Sequence, residues 1–197
     1  MRRSFIVMAV CAVILFIRCS DNGVSSDGSG GGGSYTYTGR TVQIGNLTWM
    51  AENLNRNTNN SWCYNNNSSD CAKYGRLYTW DAARGACPSG WRLPTDADWN
   101  NLMTAVGGSS TAGTKLKSQT GWYNDGNGTD EFGFSALPGG GRGAGGSFDY
   151  VGDFGLWWSA TEGDAARAHS WHMRWDNENV NSFWYNKSLG LSVRCVR

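Results

Sequence analysis

The spacing of apolar residues predicts two helices in the first half of the chain. The longer helix follows Thr95, a good N-cap residue, and ends at Gly107. Its apolar residues recur at intervals of three and four, which places them on one helical face: Trp99, Leu102, Met103 and Val106. A shorter helix is predicted over residues 77–84, because Gly85 follows it directly and Pro88 lies just beyond.

Most of the remaining domain has the pattern of short strands separated by Asn, Gly and Ser. The predicted strands cover residues 41–44, 48–50, 156–159, 169–175, 182–185 and 191–196. The glycine-rich stretch at 138–146 lacks the strand, helix and lysine of a phosphate-binding loop, and we interpret it as an irregular surface loop. The pattern predicts an α+β fold, with two helices followed by an antiparallel sheet and long loops.

The N-terminal residues have the layout of an export signal. Two arginines precede the apolar run 5–17, which is shorter than the roughly 20 residues of a membrane-spanning helix. Cys19 follows this run at the position where bacterial lipoproteins are cleaved and acylated, although Arg18 replaces the small residue usual there. We therefore predict a signal over 1–19 with lipidation at Cys19, and an ordinary cleaved signal as the alternative.

The polar residues 20–34 predict a flexible Gly/Ser linker, so that one globular domain occupies 35–197. A lipid anchor at Cys19 would attach this domain to a membrane of the cell envelope, and Ser20 mildly favours the outer membrane or cell surface. Without the anchor, the protein would be secreted. The net charge of +1, with both signs interspersed, argues against a nucleic-acid partner.

Four of the six cysteines lie in the predicted domain, at Cys63, Cys71, Cys87 and Cys195. An even number of cysteines in an exported domain indicates disulfide bonds, and four cysteines allow three pairings. The polar turn between Cys63 and Cys71 makes a local bridge easy, which would leave Cys87 to pair with Cys195. This second bridge closes a loop of about 108 residues and would stabilise the fold by about 4 to 5 kcal/mol.

One stretch of oxygen-bearing side chains is a candidate calcium site. The residues that offer hard oxygen ligands are Asn124, Asp125, Asn127, Asp130 and Glu131. An EF-hand is excluded because its sixth position would be Asp130 instead of glycine and its twelfth would be Ala136 instead of glutamate. The alternative is a turn stabilised by its own Asn and Asp side chains.

Aromatic residues are the other candidates for ligand binding. The chain has 11 tryptophans and only two histidines, so few histidines are present to form a metal site or an acid–base relay. His169 and His172 are expected on opposite faces of a strand. Most tryptophans are expected in the core, whereas four aromatic residues near loops are predicted to form an exposed recognition patch: Trp122, Tyr123, Trp184 and Tyr185.

Six sequence blocks carry a family resemblance. They are WMAENL at 49–54, GRLYTWDAA at 75–83, CPSGWRLPT at 87–95, GFSALPGG at 133–140, WSAT at 158–161 and GLSVRCV at 190–196. They resemble the Fibrobacter succinogenes major paralogous domain family. That resemblance implies an exported, lipoprotein-like domain without a defined activity.

The same family is similar to the C-type lectin-like superfamily and to formylglycine-generating enzymes. This similarity implies a C-type lectin-like fold, with two helices beside a small twisted antiparallel sheet, adjacent N- and C-terminal strands and long loops. A Cys87–Cys195 bridge fits that topology. An enzyme of this type would need two reduced cysteines for copper, and only Cys195 falls in a matching block.

The leading functional prediction is a noncatalytic, lipid-anchored surface module that binds a polysaccharide or a surface protein through its loops. It requires no cofactor other than the candidate calcium ion. The alternatives are a degenerate or unrecognised formylglycine-generating-type enzyme and a purely structural envelope protein.

Overall fold

The computed structural model describes residues 35–197. The predicted signal, the lipidation site Cys19 and the linker lie outside these residues. The described part contains four α-helices: α1 (Ser68–Tyr74), α2 (Trp80–Ala86), α3 (Asp96–Ala105) and α4 (Ser109–Leu116). It contains four short strands in two antiparallel pairs: β1 (Thr41–Ile44) with β2 (Leu47–Met50), and β3 (Ser61–Trp62) with β4 (Leu77–Tyr78). The main sheet is formed by β5 (Gly139–Arg142), β6 (Phe148–Val151), β7 (Phe154–Glu162), β8 (Arg167–Arg174) and β9 (Val180–Asn186).

The main sheet is five-stranded and mixed, which shows that the predicted fold class is wrong. Its strand order is β6-β5-β7-β8-β9, and β5 pairs with β7 in parallel while the other neighbours are antiparallel. The prediction had two helices beside a small antiparallel sheet in a C-type lectin-like arrangement. The domain instead has four helices and a larger sheet of mixed direction.

The glycine-rich stretch accounts for much of this difference, because part of it forms the strand β5 instead of a surface loop. Gly140 has φ of +63°, and a Cβ there would lie 2.4 Å from the Asp149 carbonyl oxygen. A Cβ on Gly141 would press on the Leu156 side chain at 3.2 Å. Side chains would therefore prevent the close approach of β5 to both neighbours. Standard strand propensities disfavour glycine and gave no sign of this role.

The helices differ from the prediction for local reasons. Thr95 caps α3 as expected, in a capping box in which the Thr95 and Asp98 side chains each accept a hydrogen bond from the other's backbone N–H. The helix α2 begins at Trp80 rather than at Leu77 because Leu77 and Tyr78 pair with β3. The helices α1 and α4 are rich in serine, threonine and small residues, and apolar periodicity did not reveal them.

Two apolar clusters lie on the two faces of the sheet. The first joins α3 to one face, and within it Trp99 stacks on Trp171 with ring centroids 5.8 Å apart. The second cluster covers part of the other face and includes Trp158 and Cys195. Trp157 and Trp158 contribute to different clusters because successive strand residues point to opposite faces.

The C-terminal segment closes the domain. The Met50 N–H donates to the Cys195 carbonyl and the Thr48 N–H to that of Arg197, so the last residues lie beside β2. Arg194 is fully buried, and its guanidinium donates to the Asn53 Oδ1 at 2.8 Å and to the Met50 carbonyl at 3.1 Å. Burial lowers the pKa of Arg194 to about 10, which leaves it charged at neutral pH. This buried cation therefore ties the C-terminal segment to the segment after β2.

Candidate functional site

Two of the most exposed aromatic residues lie on β9, one of the two edge strands of the main sheet. Phe183 is 55% exposed and Trp184 is 40% exposed. Since side chains alternate along a strand, Phe183 and Tyr185 share one face of the sheet and Trp184 lies on the other. The edge strand therefore presents aromatic rings to solvent on both faces.

The face that carries Phe183 has a group of five aromatic or heteroaromatic rings from four strands. We call it the aromatic face: Tyr150, Phe154, His172, Phe183 and Tyr185. The Tyr150 and Phe154 rings are 5.5 Å apart, and Phe154 lies 6.0 Å from His172. The Phe183 and Tyr185 rings are 5.2 Å apart. Phe154 and Tyr185 also pack against the second core cluster, and this packing holds their rings in place.

Burial favours the neutral forms of two side chains of the aromatic face, His172 and Tyr185. Burial lowers the pKa of His172, which disfavours its imidazolium form. Burial raises the pKa of Tyr185, and nearby Tyr150 raises it further. At one end, the Arg174 Cζ lies 5.4 Å from the centroid of the Phe154 ring, and the Arg174 Nε lies 3.2 Å from an Asp176 carboxylate oxygen. The face is thus an apolar platform with a neutralised cation at its border.

The opposite face of β9 holds a second arrangement, built around Trp184. Its ring lies 4.0 Å from that of His169, the residue directly across the β8–β9 ladder. The His169 Nδ1 contacts one carboxylate oxygen of Asp96, and the Trp171 Nε1 donates to the other at 3.0 Å. Asp96 is the first residue of α3, so this carboxylate connects the helix to the edge of the sheet.

The predicted recognition residues occupy different environments. Trp122 is only 5% exposed, and its Nε1 donates to the Ser118 Oγ and the Ala136 carbonyl, so it belongs to the first core cluster and not to a surface patch. Tyr123 is 53% exposed and lies against Gly152 in the β6–β7 turn. Trp184 and Tyr185 are on opposite faces of β9. The structure therefore separates the four residues.

Two of the five predicted calcium ligands accept hydrogen bonds within the protein. The Asn127 Oδ1 accepts from the Trp122 N–H at 3.0 Å. Both Asp130 carboxylate oxygens accept from Ser135, one from its N–H and one from its hydroxyl, each at 2.6 Å. Asn124 and Asp125 have positive φ in a 3-10 turn, and Glu131 is exposed. Across residues 35–197, no group of three or more His, Cys, Asp or Glu side chains is placed to hold a metal ion.

The cysteines form two disulfide bonds, which confirms the prediction of disulfides. The bridges are Cys63–Cys71 and Cys87–Cys195, the two pairs that the loop lengths favoured. Bridged sulfurs provide neither a thiolate nucleophile nor a thiolate metal ligand.

Sequence reasoning missed several residues of both surfaces. Tyr150, Phe154 and Phe183 were not singled out, although the alternation of Phe183, Trp184 and Tyr185 along one strand was a readable signal. The Asp96–His169 contact joins residues 73 positions apart in the chain, since 169 − 96 = 73. Asp96 was interpreted only as a favourable residue for the start of a helix, and no local pattern connects it to His169.

Fold and site together define a disulfide-bonded domain with a mixed sheet and an exposed aromatic edge strand. The chain belongs to the Fibrobacter succinogenes major domain family, whose family model matches residues 42–197. No curated protein and no solved structure gives a significant match. None of the helices within residues 35–197 is long and apolar enough to cross a membrane.

Proposed function

We propose that this protein is a noncatalytic surface module that binds polysaccharide through the aromatic face. The observation that carries the proposal is the group of exposed rings on one side of the main sheet, with Tyr150 at 58% and Phe183 at 55% exposure. Pyranose rings have apolar C–H faces that pack on aromatic rings, and tyrosine adds a hydroxyl for hydrogen bonding. The ring contacts join Tyr150, Phe154 and His172 in one group and Phe183 and Tyr185 in another. Exposed apolar surface of this kind marks interaction sites in soluble domains.

The shape of the surface favours a polymer over a small ligand. The rings come from β6, β7, β8 and β9, with β5 between β6 and β7, so they are spread across the sheet instead of converging on a pocket. Adjacent strands are about 4.8 Å apart, so several sugar units could contact the platform together. Many weak stacking contacts then add up to useful affinity.

Export and lipid anchoring are part of the same proposal. Cys19 would attach the protein to the cell envelope, and the Gly/Ser linker would hold the domain a short distance from the membrane. Mass spectrometry of the mature protein tests this part by itself. A diacylated N-terminus at Cys19 supports anchoring, whereas an unmodified N-terminus would make the protein a secreted binder.

The binding proposal is tested by co-sedimentation of the protein with insoluble polysaccharides such as chitin and cellulose. The double substitution Phe183→Ala with Tyr185→Ala removes two rings of the aromatic face. If each ring contributes about 0.5 to 1.5 kcal/mol, the dissociation constant should rise by about one to two orders of magnitude.

The matched control is Trp184→Ala, which removes an exposed ring from the other face of the same strand. It should leave this binding unchanged, while thermal unfolding verifies that each variant is folded. The proposal is wrong if the wild-type protein binds none of the polysaccharides, or if the control weakens binding as much as the double variant does.

A further inference from the structure

A groove lies between α3 and β9, on the side of the sheet opposite the aromatic face. Its volume is about 480 Å³, within the range of about 300 to 1,000 Å³ that is usual for ligand sites. Asn100 and Met103 of α3 form one wall, and Val180 to Ser182 of β9 form the other. Trp171 of β8 lies between them.

The polar side chains along this groove have unused hydrogen-bonding capacity. Within residues 35–197, the side chains of Asn100, Ser109 and Ser182 make no hydrogen bond to the protein, although all three line the groove. Asn181 also borders the groove, but it pairs with His172 across the ladder, so its side chain points to the aromatic face. Each amide offers two donors and an acceptor, and each hydroxyl offers both functions. Sugar hydroxyls also donate and accept, so this set of groups complements a saccharide.

The groove is also without charge. None of the residues that line it carries an ionisable side chain. The nearest turn of α3 contains Asp96, but its carboxylate is engaged by His169 and by the Trp171 Nε1. An anionic polymer would therefore find no cation to pair with, and its desolvation would be uncompensated.

The apolar residues of the groove complete the site. Met103, Val180 and Trp171 are all buried and provide an apolar base beneath the polar rim. Because the indole N–H of Trp171 is already bonded to Asp96, its ring contributes carbon surface only. Trp184, two residues beyond Ser182 on the same face of β9, lies next along the strand and is 40% exposed.

We infer that this groove binds a single chain of an uncharged oligosaccharide. The site is separate from the aromatic face, since the two lie on opposite sides of the sheet, and it does not depend on the function proposed above. A domain with both sites would bind an insoluble polysaccharide surface on one side of the sheet and a single soluble oligosaccharide chain on the other.

The test is titration of the full-length protein with neutral hexasaccharides of glucose, xylose and N-acetylglucosamine, with hexagalacturonate as the charged counterpart. Binding is measured by calorimetry, and ¹H–¹⁵N NMR follows the side-chain amide of Asn100. We expect a neutral hexasaccharide to bind and to shift this amide signal. The double substitution Asn100→Ala with Ser182→Ala should weaken binding by about tenfold or more, as expected for two lost hydrogen bonds.

The controls separate this site from the aromatic face. Phe183→Ala should not change the affinity for the hexasaccharide, and the variant with Asn100→Ala and Ser182→Ala should still co-sediment with insoluble polysaccharide. The inference is overturned if no neutral hexasaccharide binds the folded protein, if hexagalacturonate binds equally well, or if an extended uncharged peptide shifts the Asn100 amide while saccharides do not.

Discussion

Removing the Cys87–Cys195 disulfide is expected to destabilise the domain about twice as much as removing Cys63–Cys71. The bridges span 108 and 8 residues, respectively. In the chain-entropy description, a cross-link stabilises the native state by reducing the freedom of the unfolded chain, and the effect grows with the logarithm of loop length. Those lengths correspond to about 5 kcal/mol for the long loop and about 2.5 kcal/mol for the short one.

The comparison between the two bridges isolates the effect of loop length on the free energy of unfolding. Each bridge has one cysteine that is buried, Cys195 in one and Cys71 in the other, so substitution by alanine removes a buried sulfur in both cases. The backbone hydrogen bond from Met50 to Cys195 does not involve the sulfur and should persist in the variant. The difference of about 2.5 kcal/mol should therefore report mainly on the unfolded chain.

Urea unfolding monitored by tryptophan fluorescence measures both variants. Seven of the 11 tryptophans are buried, so unfolding should give a large spectral change. For a domain of this size, the long-bridge variant should also unfold about 10 to 20 °C lower than the wild type. In each variant, both cysteines of one bridge are replaced by alanine. If the two variants lose the same free energy of unfolding, or if the short-bridge variant loses more, the loop-entropy reasoning is refuted.

Three further predictions concern the fold. Arg194→Met should lower the free energy of unfolding by about 3 to 5 kcal/mol, because it removes the buried guanidinium hydrogen bonds to the Met50 and Phe134 carbonyls and to the Asn53 Oδ1, which keeps only the Trp157 Nε1 as a side-chain donor. A loss below about 1 kcal/mol in urea unfolding would contradict this. Burial by itself would raise the pKa of Asp98, but hydrogen bonds from Arg92 and Thr95 outweigh it and lower the pKa to about 2. The ionised carboxylate therefore stabilises the fold fully above about pH 4, and this contribution is lost as the pH falls toward 2. Asp98→Asn should reduce the dependence of stability on pH in that window, and an unchanged acid-unfolding curve would argue against the assignment. Gly140→Ala should destabilise the domain because a Cβ would clash with β6 at a positive φ, whereas Gly145→Ala, with open space around it, serves as the thermal-unfolding control.

Local sequence signals predicted those elements whose stability depends on neighbours in the chain. The capping box at Thr95 and the apolar spacing that follows it located α3 to within a residue or two. The strand β1 was predicted with its observed bounds, and the centres of β7, β8 and β9 were identified from their aromatic and apolar residues. In these segments, local preference and tertiary packing agree.

The candidate site was predictable only in part, because the exposure of a side chain depends on contacts that form only in the folded chain. The aromatic excess indicated a recognition surface, and Trp184 and Tyr185 are exposed or half-buried on β9. Trp122 looked equivalent in the sequence but is buried, because its indole N–H finds partners in Ser118 and Ala136 that only the folded chain brings near. Exposure is a property of the surrounding structure and not of the residue type.

The sequence by itself determined the cysteine chemistry, the main helix, five of the nine strands and the family to which the chain belongs. Tertiary structure alone decided that the glycines of β5 form a strand, because their role is to permit close approach by β6 and β7. It also decided which aromatic rings share a face and which polar side chains line the groove beside α3. These features depend on contacts between residues far apart in the chain, and such contacts leave no local pattern in the sequence.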